Sequence, residues 1–198
     1  MTGAGASPVT FILASASPRR LEILGRLGVT PDQVDPADCD ETPHRDEPPL
    51  AYARRIAAEK AQVVAARHAG SVILSADTVV AAGRRILGKA ESEDEARACL
   101  ALLSGRRHRV HSAVTVIDAH GQARHRVSTS ILAFKRLSPG EIDAYVASGE
   151  WQGKAGGYAV QGYAEAFVRT LTGSHSGVMG LPLYETRALL IAAGVIAP

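Results

Sequence analysis

Apolar positions along the chain recur with two periods, and the switches between them mark the elements. Val9 to Leu13 is a short run of strand formers closed by Ser15, Ser17 and Pro18, after which Leu21, Ile23, Leu24 and Leu27 fall on one helical stripe. Ser17 is placed to cap that helix, and Pro18 suits its first turn, where no backbone donor is missed. Residues 30 to 49 are polar and acidic. The pattern then predicts a long helix over residues 49–68 with Ala53, Ile56, Ala57, Val63 and Val64 inward, and Lys60 lies on that same stripe. Val72 to Ala76 and Val79 to Ala82 read as strand-like runs interrupted by Asp77 and Thr78. Gly83-Arg84 follows as a turn and Arg85 to Leu87 as a returning strand.

Ser92-Glu93-Asp94-Glu95 reads as a capping box for a helix ending near Ser104, with Gly105 as its stop. Val110 to Ile117 and Val127 to Phe134 alternate around a His120-Gly121 turn, the pattern of a hairpin. Ser138-Pro139-Gly140-Glu141 is a second capping box, and its helix stops at Gly149. Gly153 to Tyr158 is too glycine-rich for a helix or a regular strand, so close approach of the backbone to a neighbour is expected there. Ala166 to Thr172 reads as a strand and Gly173 to Gly180 as a loop. Pro182 then starts a last helix with Tyr184, Ala188 and Ile191 inward, ending at Gly194. Strands and helices alternate without repeats or a linker. The expected architecture is α/β with a mixed sheet, in one domain spanning residues 1–198 with an ordered core of about residues 9–194.

Composition narrows the classes without naming a function. With 46% apolar and 21% charged residues, the balance is that of a soluble globular protein. A net charge of +2 and the lack of aromatics interleaved with cations argue against nucleic acid as a partner. Cys39 and Cys99 form no close pair and no metal spacing, which fits a reduced, cytoplasmic setting. No uncharged apolar stretch approaches membrane-spanning length, and residues 1–10 carry no basic residue of the kind that opens a signal sequence. No membrane association is expected.

Candidate chemistry gathers at a few positions. A strand feeding directly into a helix leaves backbone N–H groups and a partial positive charge facing the turn, which attracts anions. Ser15, Ser17, Arg19 and Arg20 reinforce that preference, although arginines in a first turn also point to solvent. Lys60 on an inward stripe either snorkels outward or meets an anion. Asp77 interrupts an apolar stretch, and a buried carboxylate needs a partner, a cation or a chemical role. The acidic residues Asp35, Asp38, Asp40, Glu41, Asp46 and Glu47 suit either a solvated linker or a divalent cation. Gly83 to Lys89 follows the P-loop pattern until Ala90, which offers no oxygen to magnesium, and Arg85 to Leu87 reads as a strand, so that reading is rejected. Gly173-Ser174-His175-Ser176-Gly177 has histidine where a nucleophile elbow has serine.

Taken together, these stretches resemble the Maf family, also called septum-formation inhibitor proteins, from about Phe11 to Gly194. The motifs that carry the resemblance are Ser15-Ala16-Ser17-Pro18-Arg19-Arg20, Asp40-Glu41-Thr42, Glu59-Lys60-Ala61, Ala76-Asp77-Thr78-Val79-Val80, Ile86-Leu87-Gly88-Lys89, Leu103-Ser104-Gly105, Lys154 to Gly162 and Gly180-Leu181-Pro182-Leu183. The resemblance implies an ITPase-like α/β fold with two lobes around a central cleft, usually as a homodimer. It implies a nucleoside triphosphate pyrophosphatase that cleaves between the α- and β-phosphates with a divalent cation, magnesium or manganese. By the same resemblance Asp77 is the general base, and Ser15, Arg19, Lys60 and Lys89 hold phosphates. Glu41 helps position the metal or the water, with Glu41 and Asp77 as the metal-side carboxylates. Arg20, Thr78 and Gln161 are the base-selecting residues, and Asp77-Thr78 with Gln161-Gly162 look like the dTTP- and UTP-preferring branch. The chain departs from the family pattern at Ala90, at Ser112-Ala113 and at Ser176 to Met179. A nucleotide-binding regulator of cell division without turnover is the competing expectation, and intact Asp77, Lys60 and Lys89 speak against it.

Overall fold

The computed structural model describes residues 9–198. In chain order the elements are β1 (Phe11–Leu13), α1 (Pro18–Gly25), β2 (Gln33–Val34), α2 (Pro49–Ala65), β3 (Val72–Ala82), β4 (Arg85–Leu87), α3 (Glu93–Leu103), β5 (Arg107–Ile117), β6 (Ala123–Phe134), α4 (Pro139–Ala147), a 3-10 turn (Tyr163–Phe167), β7 (Val168–Thr172), α5 (His175–Met179) and α6 (Leu183–Ala192). They build a seven-stranded mixed sheet in the order β2-β1-β3-β5-β6-β7, with β4 also paired to β3. β1 runs parallel to β2 and β3, and every other pairing is antiparallel.

Strand alternation decides which helix covers which face. Ile12, Ala14 and Ile73 pack under Ala61 and Val64 of α2, whereas Phe11, Leu13 and Leu74 pack with Ile23 and Leu24 of α1 on the opposite face. The second face carries the larger core, in which Val110, Val114, Leu132 and Phe134 meet Leu100, Tyr145, Leu189 and Leu190 of α3, α4 and α6. The hydroxyl of Ser75 donates to the Ala57 carbonyl and pins α2 to β3. Burying a side chain such as Ile56, which is fully enclosed, is worth about 1.5–3 kcal/mol.

The two edges of β3 are occupied differently. One edge is fully used, since Ile73 to Ala81 pair with β5. On the other edge β1 pairs with Val72 to Leu74 and β4 with Val80 to Ala82. Between them, residues 75–79 have no strand partner on that edge, because β1 ends at Leu13 and the chain turns away into α1. A parallel strand with its helix stands on one side of this gap and the β3–β4 turn on the other.

Several local readings need correction. β3 is one continuous strand, so Asp77 and Thr78 lie within it and do not interrupt it. A polar pair inside a strand is tolerated here because each side chain finds partners. Ser17 occupies the cap position of α1, yet its side chain makes no capping bond. Its own N–H is taken by the Ser15 hydroxyl at 3.2 Å. Residues 175–179, read as loop, form the short helix α5, capped by the Ser174 hydroxyl on Gly177 N–H. The segment before Val168 is a 3-10 turn and not strand. In α6 the inward residues are Thr186, Leu189 and Leu190, while Tyr184 is 85% exposed. With so many apolar residues in that helix, the buried face is set by what it packs on and not by its own pattern. The Ser138 capping box forms in full. In α3 Ser92 caps Glu95 N–H, but Glu95 reaches back to Glu91 N–H. The glycine-rich stretch is as tight as expected, since a Cβ on Gly156 would stand 2.8 Å from Val80 Cγ1.

Candidate active site

The unpaired stretch of the β3 edge opens into a cleft of about 620 Å³. Its walls are the β1–α1 turn, the middle of α2, residues 77–80 of β3, Lys89 beyond β4, and the segments 153–161 and 178–180. The nine residues to which the resemblance gives roles all line it, namely Ser15, Arg19, Arg20, Glu41, Lys60, Asp77, Thr78, Lys89 and Gln161, whereas of the six acidic residues 35–47 only Glu41 does.

At its floor the Lys60 ammonium lies 2.9 Å from Asp77 Oδ1 and 3.0 Å from Glu41 Oε1. Lys60 and Asp77 are 8% and 7% exposed. So enclosed a pair is costly to break, because removing one partner leaves a buried charge uncompensated. The stripe of α2 brings Lys60 inward, and the pleat of β3 turns Ser75, Asp77 and Val79 toward α2. The partner of Asp77 is therefore Lys60, which neither snorkels outward nor stands free.

Glu41 sits in irregular chain and is held from outside. The Tyr52 hydroxyl donates to the Glu41 carbonyl at 2.7 Å. Arg55 donates to the Thr42 carbonyl at 3.2 Å, grips Glu47 at 2.7 and 2.8 Å, and reaches Glu59 at 3.1 Å. Burial first, and the charges of Asp77 and Glu41 next, push the Tyr52 hydroxyl up to about 12. The hydrogen bonds from Arg55 hold the Glu47 carboxyl down to about 2. Within the acidic stretch, Glu41 and Glu47 belong to a tethered wall, while Asp38, Asp40 and Asp46 are exposed to solvent.

On the opposite wall, Arg20 Nη1 donates to the Ser15 hydroxyl at 3.1 Å and its Nε to the Gly180 carbonyl at 2.9 Å. Arg19 Nε is buried and has no partner among the described residues, and burial lowers the pKa of its guanidinium. An unsatisfied buried donor costs about 1–3 kcal/mol. An anion in the cleft would satisfy it. Thr78 and Ser112 hydroxyls are 3.0 Å apart, and Ser112 donates to the Gly177 carbonyl at 2.6 Å. Two departures from the family pattern, Ser112 and Gly177, are therefore partners of each other. Lys89 stands on an extended bridge opposite Ala155, so it is no P-loop lysine, and Ala90 behind it is buried. Lys154 and Tyr158 also line the cleft; both stand in the Lys154 to Gly162 motif, but the sequence assigned neither a role. Only their packing beside Lys89 and Val80, not their own spacing, brings them there.

Glu41 and Asp77 each present a carboxylate to the cleft floor, where both meet the Lys60 ammonium. Magnesium commonly uses one or two carboxylates together with substrate phosphates and water. Two such carboxylates fit that habit, and no cluster of three His, Cys, Asp or Glu that could hold a metal occurs among the described residues.

A family model described as Maf-like protein matches residues 10–193. The chain belongs to the Maf family. Among curated relatives of this Maf protein, the dTTP/UTP pyrophosphatase of Zymomonas mobilis subsp. mobilis is 63% identical over 185 residues, covering 93% of this chain and 92% of that protein. The dTTP/UTP pyrophosphatase of Novosphingobium aromaticivorans is 61% identical over 194 residues, covering 96% of each chain. That of Caulobacter vibrioides is 59% identical over 184 residues, covering 93% and 95%. A HAM1 protein from Coxiella burnetii shares the fold with a TM-score of 0.52 at 18% identity, over 93% of this chain and all of that one. No helix among the described residues is long and apolar enough to cross a membrane.

Proposed function

We propose that this Maf protein hydrolyses dTTP and UTP between the α- and β-phosphates, releasing the nucleoside monophosphate and pyrophosphate. The observation that carries this reading is the buried Asp77–Lys60–Glu41 cluster at the floor of a cleft whose opposite wall holds the partnerless Arg19 donor. The names of relatives more than half identical support the same reaction and the same nucleotides.

In this reading Asp77 takes the proton from the attacking water. Lys60 engages Oδ1, which leaves Oδ2 outside the ion pair and fixes the carboxylate plane. Ser15, Arg19 and Lys89 bind phosphate oxygens, and Lys60 adds its charge from the floor. Such positioning and charge neutralisation are the main contributions a protein makes to phosphoryl transfer. Glu41 and Asp77 would hold a divalent cation, magnesium or manganese, which supplies further neutralisation of the phosphates. Arg20, Thr78 and Gln161 select the base. Arg20 and Thr78 both approach the Gly180 carbonyl, at 2.9 and 3.4 Å, and so form one wall from three distant parts of the chain. The single domain works as a cytoplasmic homodimer.

The test is incubation with dTTP, UTP, GTP and 7-methylguanosine triphosphate, with and without magnesium, and chromatography of the products. Monophosphate and pyrophosphate, with the highest specificity constants for dTTP and UTP, are expected. Nucleoside diphosphate with orthophosphate would overturn the bond assignment, and an equal or higher constant for either guanine nucleotide would overturn the base preference.

A further inference from the structure

The charges around the cleft do not contribute equally. Lys60 is already engaged by two carboxylates at 2.9 and 3.0 Å, so its charge is shared between them and any substrate. Arg20 is committed to the Ser15 hydroxyl and the Gly180 carbonyl. Arg19 and Lys89 remain, and beside them stands Lys154. Its position is set by backbone. Ala90 N–H donates to the Lys154 carbonyl at 3.2 Å, Gly153 N–H to the Ala90 carbonyl at 3.1 Å, and Gly156 N–H to the Gly88 carbonyl at 3.0 Å. These bonds lay the segment 153–156 antiparallel to Gly88–Ala90, so Lys154 and Lys89 come from facing strands of one small ladder. Gly156 seals that ladder against Val80, where no Cβ fits.

The Lys154 ammonium makes no ion pair among the described residues. It rests on the Gln152 carbonyl of its own loop at 2.9 Å, a neutral acceptor two residues away. Partial burial, and after it the charge of Arg19, disfavours the charged amine, with the Glu150 carboxylate offsetting part of this. A cation kept next to another cation, on a weak local acceptor, gains most from an arriving anion.

We propose that Lys154 leaves the Gln152 carbonyl to bind the pyrophosphate end of the substrate, completing with Arg19 and Lys89 a three-cation subsite for the leaving group. The inference rests on the α–β cleavage proposed for this site. In that step the water oxygen forms a bond to the α-phosphorus, and the bond from that phosphorus to the bridging oxygen breaks. The electron pair goes to the bridging oxygen, which becomes a terminal oxygen of pyrophosphate. The water proton passes to Asp77. Negative charge therefore grows on the leaving group, where Lys154 stands, and the monophosphate keeps the base-side contacts with Arg20, Thr78 and Gln161.

Product inhibition separates the two ends of the site. In the full-length protein, Lys154→Met, Lys154→Gln and Lys154→Arg are compared with wild type for inhibition of dTTP hydrolysis by inorganic pyrophosphate and by dTMP. Lys154→Met and Lys154→Gln are expected to raise the pyrophosphate inhibition constant by about tenfold or more, as for loss of one charge-assisted contact. Inhibition by dTMP stays as in wild type, and Lys154→Arg recovers most of the pyrophosphate affinity. Unchanged pyrophosphate inhibition in both neutral variants, or equal weakening of both inhibitors, would overturn the inference. A wild type that neither releases pyrophosphate nor is inhibited by it would instead overturn the cleavage reading itself.

Discussion

Lys60 and Asp77 meet at 2.9 Å under less than a tenth of their free exposure, joining the middle of α2 to the middle of β3. Two consequences separate chemistry from stability. Asp77→Asn keeps the shape and a hydrogen-bond acceptor but removes the basicity, so turnover is expected to fall by about 100-fold or more with folding and nucleotide binding retained. Lys60→Met leaves Asp77 buried beside Glu41 without its cation, and the expected loss is about 3–5 kcal/mol of stability. Steady-state kinetics and thermal unfolding of the two variants check this. An Asp77→Asn enzyme at wild-type rate would remove Asp77 from the proton-transfer role.

Lys89 is expected to act by charge from an extended strand. Lys89→Ala should reduce dTTP hydrolysis severely, because an anionic substrate loses a cation in a partly closed site. Ala90 is buried behind the strand, with its N–H and carbonyl both committed to the 153–154 segment. Ala90→Ser should then bring no gain in turnover at saturating magnesium. An activated Ala90→Ser enzyme would mean that position 90 faces a metal after all.

Arg55 clamps the wall that carries Glu41. The Glu47 carboxyl, held from its ordinary 4.5 down to about 2, binds its proton less readily in the folded chain than in the unfolded one. Its contribution is therefore present above about pH 4.5 and is lost as the pH falls toward 2. Glu47→Gln should lower the melting temperature near neutral pH and flatten the acid limb of stability across that window. It should also increase proteolytic cutting between residues 40 and 48, since the tether on Glu41 loosens. Melting curves between pH 7 and pH 2.5, with limited proteolysis, are the measurements.

His108 is a second acid-sensitive point, away from the phosphates. It is 2% exposed, its Nε2 lies 2.8 Å from the Tyr158 hydroxyl, and burial pushes it from 6.5 down to about 4. Between those values the unfolded chain takes up a proton that the folded chain refuses. Stability is whole above pH 6.5 and falls through the window down to pH 4, by about 3 kcal/mol at 1.36 kcal/mol per unit. His108→Gln should remove most of that slope, as read by denaturant unfolding at pH 7, 5.5 and 4.

Which segments become strands and helices was legible from the residues alone wherever the signal is local. Ser138 with Glu141 closes its capping box, and the His120-Gly121 turn joins the two long strands as a hairpin. Both depend on neighbours within a few residues, and so does the stop of α3 at Gly105, which adopts a φ of 70°. The family motifs likewise marked nine positions that the fold gathers into one cleft.

What needed the tertiary structure was every relation in which the chain's own pattern is degenerate. α6 is apolar on several sides, so only the surface beneath it selects Leu189 and Leu190 over Ala188 and Ile191. Ser17 could cap α1, but its N–H is claimed by Ser15 and its side chain stays out of the cap. Lys60 on an inward stripe was equally compatible with snorkelling, and its engagement with Asp77 and Glu41 follows from α2 packing on the face of β3 to which Asp77 points. Lys154 opens one of the family motifs, but nothing in its own spacing says that it lines the cleft. It joins the cleft because a short antiparallel bridge, with Lys89 opposite Ala155, lays its segment along Gly88 to Ala90, and such pairing between distant segments is decided by packing and not by either segment alone.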